Sequence, residues 1–270
     1  AFERFLEEID LNVEIDSALH SVNHKKIHTV ENASEKIKAL ILDGTIPKDI
    51  SAAILKNFKK LKTKFVAVRS SATAEDSSTA AWAGQLESYL NTKEVDLLEK
   101  VKRCWASLFT PRAIFYRFEK KLHKQKISVA VVVQKMIESE VSGVAFSVHP
   151  VTQDRNQLII EACLGLGEAL VSGQITPDSY VVEKKGWRIL DKNISVQTRA
   201  IVKSKSGNEW QTVGAGRGAK QKLSDREVIK LSKLIERIEN HYCFPVDVEW
   251  IREKGRFYIV QSRPITTLGA

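Results

Sequence analysis

Two carboxylates stand two residues apart in Val246-Asp247-Val248-Glu249-Trp250, where apolar and charged side chains alternate with the period of a β-strand. A strand turns Asp247 and Glu249 to one face. Val260-Gln261-Ser262-Arg263 likewise turns Gln261 and Arg263 together, and Glu253-Lys254-Gly255 between the two runs is a hairpin signal. Folding about Gly255 sets Glu249 roughly opposite Gln261. One face then carries two carboxylates, an amide oxygen and a guanidinium. Hard Mg²⁺ takes a few oxygen ligands of this kind and keeps its other positions for water and substrate phosphate. The arginine neutralises phosphoryl oxygens beside it. The competing reading is an exposed strand with charged outer positions. Asp-x-Glu alone is weak, and the two strands together are stronger.

A second constellation runs from Val68-Arg69-Ser70-Ser71-Ala72 through Glu75-Asp76 to Ala83-Gly84-Gln85-Leu86-Glu87-Ser88. It reads as a strand ending in Arg69 and a loop of hydroxyl-bearing and small residues. Such a loop offers backbone N–H and side-chain O–H groups to phosphate oxygens, and Gly84 allows close backbone approach. The alternative is an ordinary polar loop with a structural arginine. Other motifs carry less. Gly165-Leu166-Gly167-Glu168 lacks the third glycine of a dinucleotide fingerprint, which excludes a Rossmann site. Gly214-Ala215-Gly216-Arg217-Gly218 reads as a mobile loop rather than a phosphate cradle. His20, His24 and His28 have helical spacing that suits a metal, yet the six histidines read better as scattered polar surface. No Ser-His-Asp or Cys-His pattern stands out.

The elements that must position these residues divide the chain by texture. The first 125 residues or so read mainly as helices. Asn32 and Glu35 have capping-box spacing, with Gly44 as a stop. Pro47 to Leu61 is amphipathic, Lys64 to Val68 is a short buried strand, Glu94 to Leu108 is helical, and Thr110-Pro111 opens the next helix. From Ile127 the texture turns to β. Val129 to Val133 reads as a strand covered on both faces. Ser142 to Val148, Leu158 to Glu161, Tyr180 to Glu183 and Trp187 to Leu190 follow as strands. Ser224-Asp225-Arg226-Glu227 is a capping box for a helix reaching about Tyr242. The reading is α+β: a helix-rich lobe over residues 1–126, a sheet-rich lobe over 127–270, and a candidate cleft between them.

The 270 residues, 43% hydrophobic, suffice for one large domain or two packed lobes. No run is long and apolar enough for a membrane span, and no signal peptide opens the chain. Met136 is the single methionine, so the chain reads as a fragment. Cys104, Cys163 and Cys243 lack metal-ligand spacing, fit a reducing cytoplasm and read as small buried apolar residues. The excess of 42 Lys+Arg over 33 Asp+Glu gathers at Lys56 to Lys62 and Lys120 to Lys126, which read as solvated helix ends. Thin aromatic interleaving argues against specific nucleic-acid binding, and an acidic small-molecule substrate explains a positive field as well.

Arg69 to Asn91 as a whole, RSSATAEDSSTAAWAGQLESYLN, resembles the signature of the pyruvate phosphate dikinase and phosphoenolpyruvate synthase ATP-binding domain. Three further stretches agree in order. They are Trp105-Ala106-Ser107-Leu108-Phe109-Thr110 through Arg117, Gln134-Lys135-Met136 through Ser142-Gly143-Val144-Ala145-Phe146, and Asp247-Val248-Glu249 through Gln261-Ser262-Arg263-Pro264. The resemblance spans nearly the whole chain and implies an ATP-grasp fold with the nucleotide cleft between its two lobes. It implies that Arg69 contacts ATP phosphates and that Gly84 and Ser88 lie where a phosphate-covering loop touches nucleotide. It further implies that Gln134, Lys135 and Met136 form the inter-lobe hinge reading adenine. Glu249 and Gln261 match Mg²⁺ ligands with Asp247 nearby, and Arg263 matches a catalytic arginine on the transferring phosphates.

A glycine-rich segment with an ATP-contacting lysine, which opens the family's domain, is absent from this sequence. No histidine here stands in the Thr/Ser-rich setting of the family's phospho-accepting histidine. The resemblance therefore implies a phosphotransferase part that holds Mg-ATP and works with a swivelling phosphohistidine domain and an acceptor-binding domain, with pyruvate as final acceptor. The rival readings are the corresponding part of a rifampicin phosphotransferase-like enzyme and a non-catalytic nucleotide-binding module.

Overall fold

The computed structural model describes residues 1–72, 76–77, 80–81, 86–120, 122, 125, 127–204 and 207–265. The chain is a mixed α/β protein that divides into two compact units, Ala1–Met136 and Ile137–Ala270.

The first unit opens with four helices, α1 (Phe2–Glu8), α2 (Asn12–His20), α3 (Ile27–Asp43) and α4 (Lys48–Lys60). Strand β1 (Val66–Ala72) follows, then the short pair β2 (Asp76–Ser77) and β3 (Ala80–Ala81), β4 (Ser88–Thr92), α5 (Leu97–Ala106), α6 (Pro111–Glu119) and β5 (Val129–Lys135). An antiparallel sheet in the order β4-β1-β5 buries Val66 and Val68. They join a core with Ile37, Ile41, Leu97, Leu108 and Ile114, where the Trp105 and Phe5 rings meet at a tilt with centroids 4.9 Å apart. The Thr110 hydroxyl caps α6 by accepting from the Ala113 N–H at 3.2 Å, with Pro111 in the first turn, as the sequence indicates.

Several expectations shift. Helix α3 begins at Ile27, so Asn32 and Glu35 lie inside it and form no capping box. Its entry turn is held instead by Thr29, whose hydroxyl accepts from the Asn23 N–H at 2.9 Å. Gly44 ends the helix as expected. Strand β5 is covered on one side only, since Val132 is 48% exposed. Because β5 pairs with β1, it belongs to the first unit, and the division falls at Met136 rather than at residue 126. His20 ends α2 while His28 lies in α3, so the three spaced histidines share no helix face. Part of the cluster Lys120 to Lys126 lies outside the described residues.

The second unit is built on six antiparallel strands in the order β13-β12-β6-β7-β8-β9. They are β6 (Val141–Phe146), β7 (Gln157–Leu164), β8 (Asp178–Glu183), β9 (Arg188–Asn193), β12 (Val246–Glu253) and β13 (Arg256–Pro264). The short helix α7 (Glu168–Val171), a two-stranded ribbon of β10 (Arg199–Lys203) and β11 (Asn208–Thr212), α8 (Ala215–Gly218) and α9 (Asp225–Tyr242) complete it. Helix α9 opens with the full Ser224–Glu227 capping box. Its Val228, Leu231 and Ile235 enter one core with Ala145, Ile160, Tyr180, Val182, Val246, Val248 and Trp250. Because side chains alternate along a strand, covering these positions with α9 leaves Asp247, Glu249, Val144 and Glu161 on the opposite face.

Two smaller expectations change here. The glycine cluster at 214–218 forms the helical turn α8, in which a Cβ on Gly218 would fall 2.0 Å from the Gln197 carbonyl oxygen while Gly214 and Gly216 have nothing packed against them. Cys104 and Cys163 are buried, but Cys243 is exposed, in the left-handed conformation that ends α9. Among the described residues no helix is long and apolar enough to cross a membrane.

Candidate functional site

The β12–β13 hairpin turns at Lys254 and Gly255, where φ is +49° and +73°. Such angles suit glycine and are tolerated in a tight turn. From the turn the ladder is regular from Glu253↔Arg256 to Trp250↔Ile259, and then a register shift brings Glu249 opposite Gln261 and Asp247 opposite Arg263. One extra residue, Val260, makes a β-bulge. The bulge sets Gln261 and Arg263 on the same face as the two carboxylates.

The guanidinium of Arg263 lies between those carboxylates, 3.3 Å from Asp247 Oδ2 and 3.6 Å from Glu249 Oε1. Asp247 is half-buried. Burial raises its pKa, the Arg263 charge opposes that shift, and the Glu249 charge adds to it. Its other oxygen, Oδ1, is buried without a hydrogen-bond partner. An orphaned carboxylate oxygen beside a second carboxylate and an amide is a donor set that suits a hard divalent cation. Among the described residues no three His, Cys, Asp or Glu side chains gather as a complete metal cage. A cation here would therefore complete its coordination with water or phosphate oxygens.

Two strands further along the same face lies Glu161. Val144 on β6 pairs with Glu249 on one side and with Glu161 on the other, so Gln261, Glu249, Val144 and Glu161 form one row across four strands. Glu161 is half-buried, and burial followed by the Asp247 charge raises its pKa. The sequence reading included Glu161 only as the end of a strand. The signal was there, since a lone carboxylate interrupts the apolar run Leu158 to Leu164. Gly143, adjacent to Val144, permits this close packing: a Cβ there would fall 1.8 Å from the Glu161 carbonyl oxygen.

In the first unit β1 does not end at Arg69. Ser70, Ser71 and Ala72 continue the strand opposite Val131, Ala130 and Val129. Arg69 stands directly opposite Ser88 on β4, so two expected phosphate contacts become cross-strand neighbours. Gln134 pairs with Ala67 and falls on that same face, whereas Lys135 pairs with Val66 and points to the other. The Met136 N–H donates to the Phe65 carbonyl at 3.2 Å, tying the end of β5 to the start of β1. Gly84 lies outside the described residues.

With the hairpin and the Arg69 strand in place, comparison with known proteins decides the family. The family model for the pyruvate phosphate dikinase AMP/ATP-binding domain matches residues 1–270. The chain belongs to this family. It is 43% identical to a probable phosphoenolpyruvate synthase of Methanocaldococcus jannaschii, over 99% of this chain and 23% of that protein. It is 43% identical to the phosphoenolpyruvate synthase of Pyrococcus furiosus, over 88% of this chain and 31% of the relative. It is 40% identical to the rifampicin phosphotransferase of Bacillus subtilis, over 88% of this chain and 28% of the relative. The chain thus spans less than a third of each of these relatives, and it is the ATP-binding domain of a phosphoenolpyruvate synthase-like protein.

Proposed function

We propose that this domain holds Mg-ATP for phosphoryl transfer to a histidine on a separate swivelling domain, from which the phosphoryl group passes to pyruvate. The observation that carries the reading is the hairpin face, where Glu249 opposes Gln261 and Asp247 opposes Arg263, in a chain matched throughout by an AMP/ATP-binding family. Asp247, Glu249 and Gln261 would hold Mg²⁺, which would supply charge neutralisation for phosphate oxygens. Arg263 would serve the transferring phosphates from the same face. Arg69 and Ser88 act on the phosphates from β1 and β4, joined by Gly84. Gln134, Lys135 and Met136 receive adenine at the hinge of an ATP-grasp cleft.

The domain's own contribution is positioning and electrostatics, which is what phosphoryl transfer requires of a protein. Pyruvate is favoured as final acceptor by the two phosphoenolpyruvate synthase relatives described above, which match at 43% identity against 40% for the rifampicin phosphotransferase. Titration calorimetry with ATP, with and without Mg²⁺, tests the reading on the wild type, Glu249→Ala and Gln261→Ala. Mg²⁺-dependent binding in the wild type, weakened in both variants with the fold retained, supports it. Unchanged Mg²⁺ dependence in both variants would return the hairpin to a merely charged strand.

A further inference from the structure

We infer that the first unit carries a binding site for an α-amino acid with a large apolar side chain, in the cavity that Arg117 lines together with residues of α1, α2 and α6. The site lies wholly within that unit and does not rest on the nucleotide reading of the hairpin.

The cavity holds about 800 Å³, within the roughly 300–1,000 Å³ of small-molecule pockets. Much of its lining is apolar, and Phe2, Leu6, Ile15, Phe109 and Ile114 are all buried. One arginine stands among them. Arg117 is only 7% exposed, and its guanidinium makes one hydrogen bond with a described residue, from Nη2 to the Gln125 carbonyl at 3.1 Å. Its Nε is buried without a partner. Burial lowers the Arg117 pKa and the Asp16 charge opposes that shift, yet the two side chains form no ion pair. A buried guanidinium without a paired counter-charge calls for an anion. Its planar fork of N–H donors matches a carboxylate.

Three carboxylates also line the cavity. Glu3 accepts from the Ser128 hydroxyl. The Glu7 and Asp16 side chains are exposed and make no hydrogen bond or ion pair with a described residue. Three negative charges against one positive charge disfavour a phosphate or a dianion. A simple amine would answer the carboxylates and leave Arg117 unpaired. A neutral apolar molecule would answer neither. A zwitterion with its two charges on neighbouring atoms answers both, because Asp16 is close enough for its charge to act on Arg117. An α-amino acid carries that pair on one carbon. A large apolar side chain then suits the buried Phe2, Phe109 and Ile15.

The test titrates L-phenylalanine into the 270-residue chain by calorimetry at neutral pH. Three analogues each remove one feature: L-phenylalanine amide the carboxylate, 3-phenylpropionate the ammonium, and glycine the apolar side chain. The variants are Arg117→Met and Asp16→Asn, with thermal melts as the control for folding. L-Phenylalanine should bind the wild type saturably at one site. A hydrogen bond to a buried charged group is worth roughly tenfold or more in affinity, so the amide should bind weaker by about that factor. The exposed carboxylates contribute less, so 3-phenylpropionate should bind about two- to fivefold more weakly. Glycine should not bind in the same range. Arg117→Met should bind L-phenylalanine no better than the amide. Asp16→Asn should lose about two- to fivefold for L-phenylalanine while leaving 3-phenylpropionate undiminished, and it carries the test if the methionine variant does not fold. No saturable binding of L-phenylalanine to the wild type would overturn the inference. So would equal affinity for the amide, for 3-phenylpropionate or for glycine, or undiminished L-phenylalanine binding in the folded variants.

Discussion

The sheet that carries the site is anchored by a fully buried ion pair, and breaking it from either side should have unequal consequences. Asp178 and Lys222 have no exposed side-chain surface. Asp178 Oδ1 accepts from the Lys222 ammonium at 2.9 Å and the Ser195 N–H at 3.1 Å. Its Oδ2 accepts from the Tyr180 hydroxyl at 2.9 Å and the Lys222 N–H at 2.8 Å. The ammonium also donates to the carbonyls of Ser195 and of Gly218, the latter at 3.0 Å. Asp178→Ala removes the acceptor of two backbone donors and a phenol, and leaves a buried ammonium without a counter-charge. Breaking a buried pair costs about 3–5 kcal/mol, and each orphaned donor adds about 1–3 kcal/mol, so about 5 kcal/mol is expected. Lys222→Met leaves the carboxylate three of its donors, and about 3 kcal/mol is expected, near the low end of that range.

Asp178→Leu combined with Lys222→Met should cost less than the two single changes added together, because no unpaired charge remains. Urea unfolding followed by tryptophan fluorescence reads all of these, since Trp187, Trp210 and Trp250 lie in the second unit. If Lys222→Met proved as costly as Asp178→Ala, or if either cost less than about 1 kcal/mol, the reasoning from donor count and charge would be wrong.

Four further outcomes are expected. Burial alone would raise the Glu227 carboxyl, but the Ser224 N–H and hydroxyl together with Arg252 hold it below its usual 4.5. Its stabilising contribution is therefore present above that pH and lost as pH falls through the lowered folded value. Glu227→Gln should cost roughly 1 kcal/mol at neutral pH and close to nothing in acid, as read by urea melts across pH. Gly143→Ala places a Cβ 2.6 Å from the Trp250 ring as well as against Glu161, and should cost about 2–3 kcal/mol in the same assay while weakening nucleotide binding. Thr110→Ala should cost about 1 kcal/mol through loss of the α6 cap, visible as a lowered melting temperature. The basic clusters should bind nucleic acid weakly and without sequence preference, and filter binding should fall away as salt rises.

What was legible in the sequence is what local chemistry decides. Ser224 with Glu227, Thr110 with Pro111 and Gly255 at the turn each act through their own backbone neighbours, and each appears where its pattern stands. Asn32 and Glu35 have the same local pattern, yet the helix is capped at Lys26, six residues earlier, where burial of Val30 extends it. Tertiary packing outweighs a cap worth about 1 kcal/mol. The stretch after Arg69 was read as loop because Ser70 and Ser71 are poor strand residues in isolation. Their pairing with β5, some sixty residues away in sequence, makes them strand. The β10–β11 ribbon was not anticipated, since β11 is exposed throughout and its sequence carries no apolar alternation. Glu161 was missed as a site residue for a related reason: its place in one row with Glu249, across Val144, depends on the pairing of β6 with both β7 and β12.

The hairpin itself shows how far alternation reaches. Period two along β12 unites Asp247 with Glu249, and along β13 it unites Gln261 with Arg263, but it does not say that the two pairs share a face. Counted from the turn, where Glu253 opposes Arg256, a regular ladder would set Val260 opposite Glu249 and turn Gln261 toward Val248, on the side buried by α9. An amide and a guanidinium would then enter an apolar core, and the carboxylates would keep neither an oxygen partner nor a counter-charge. The extra residue at Val260 reverses the parity of β13 beyond it. Phe257 and Ile259 before the bulge still pack into the α9 core, while Gln261 and Arg263 after it join Asp247 and Glu249. A single bulge thus lets one strand serve the core along one half and the site along the other. That division is why bulges belong to the geometry of functional sites rather than to defects of a sheet.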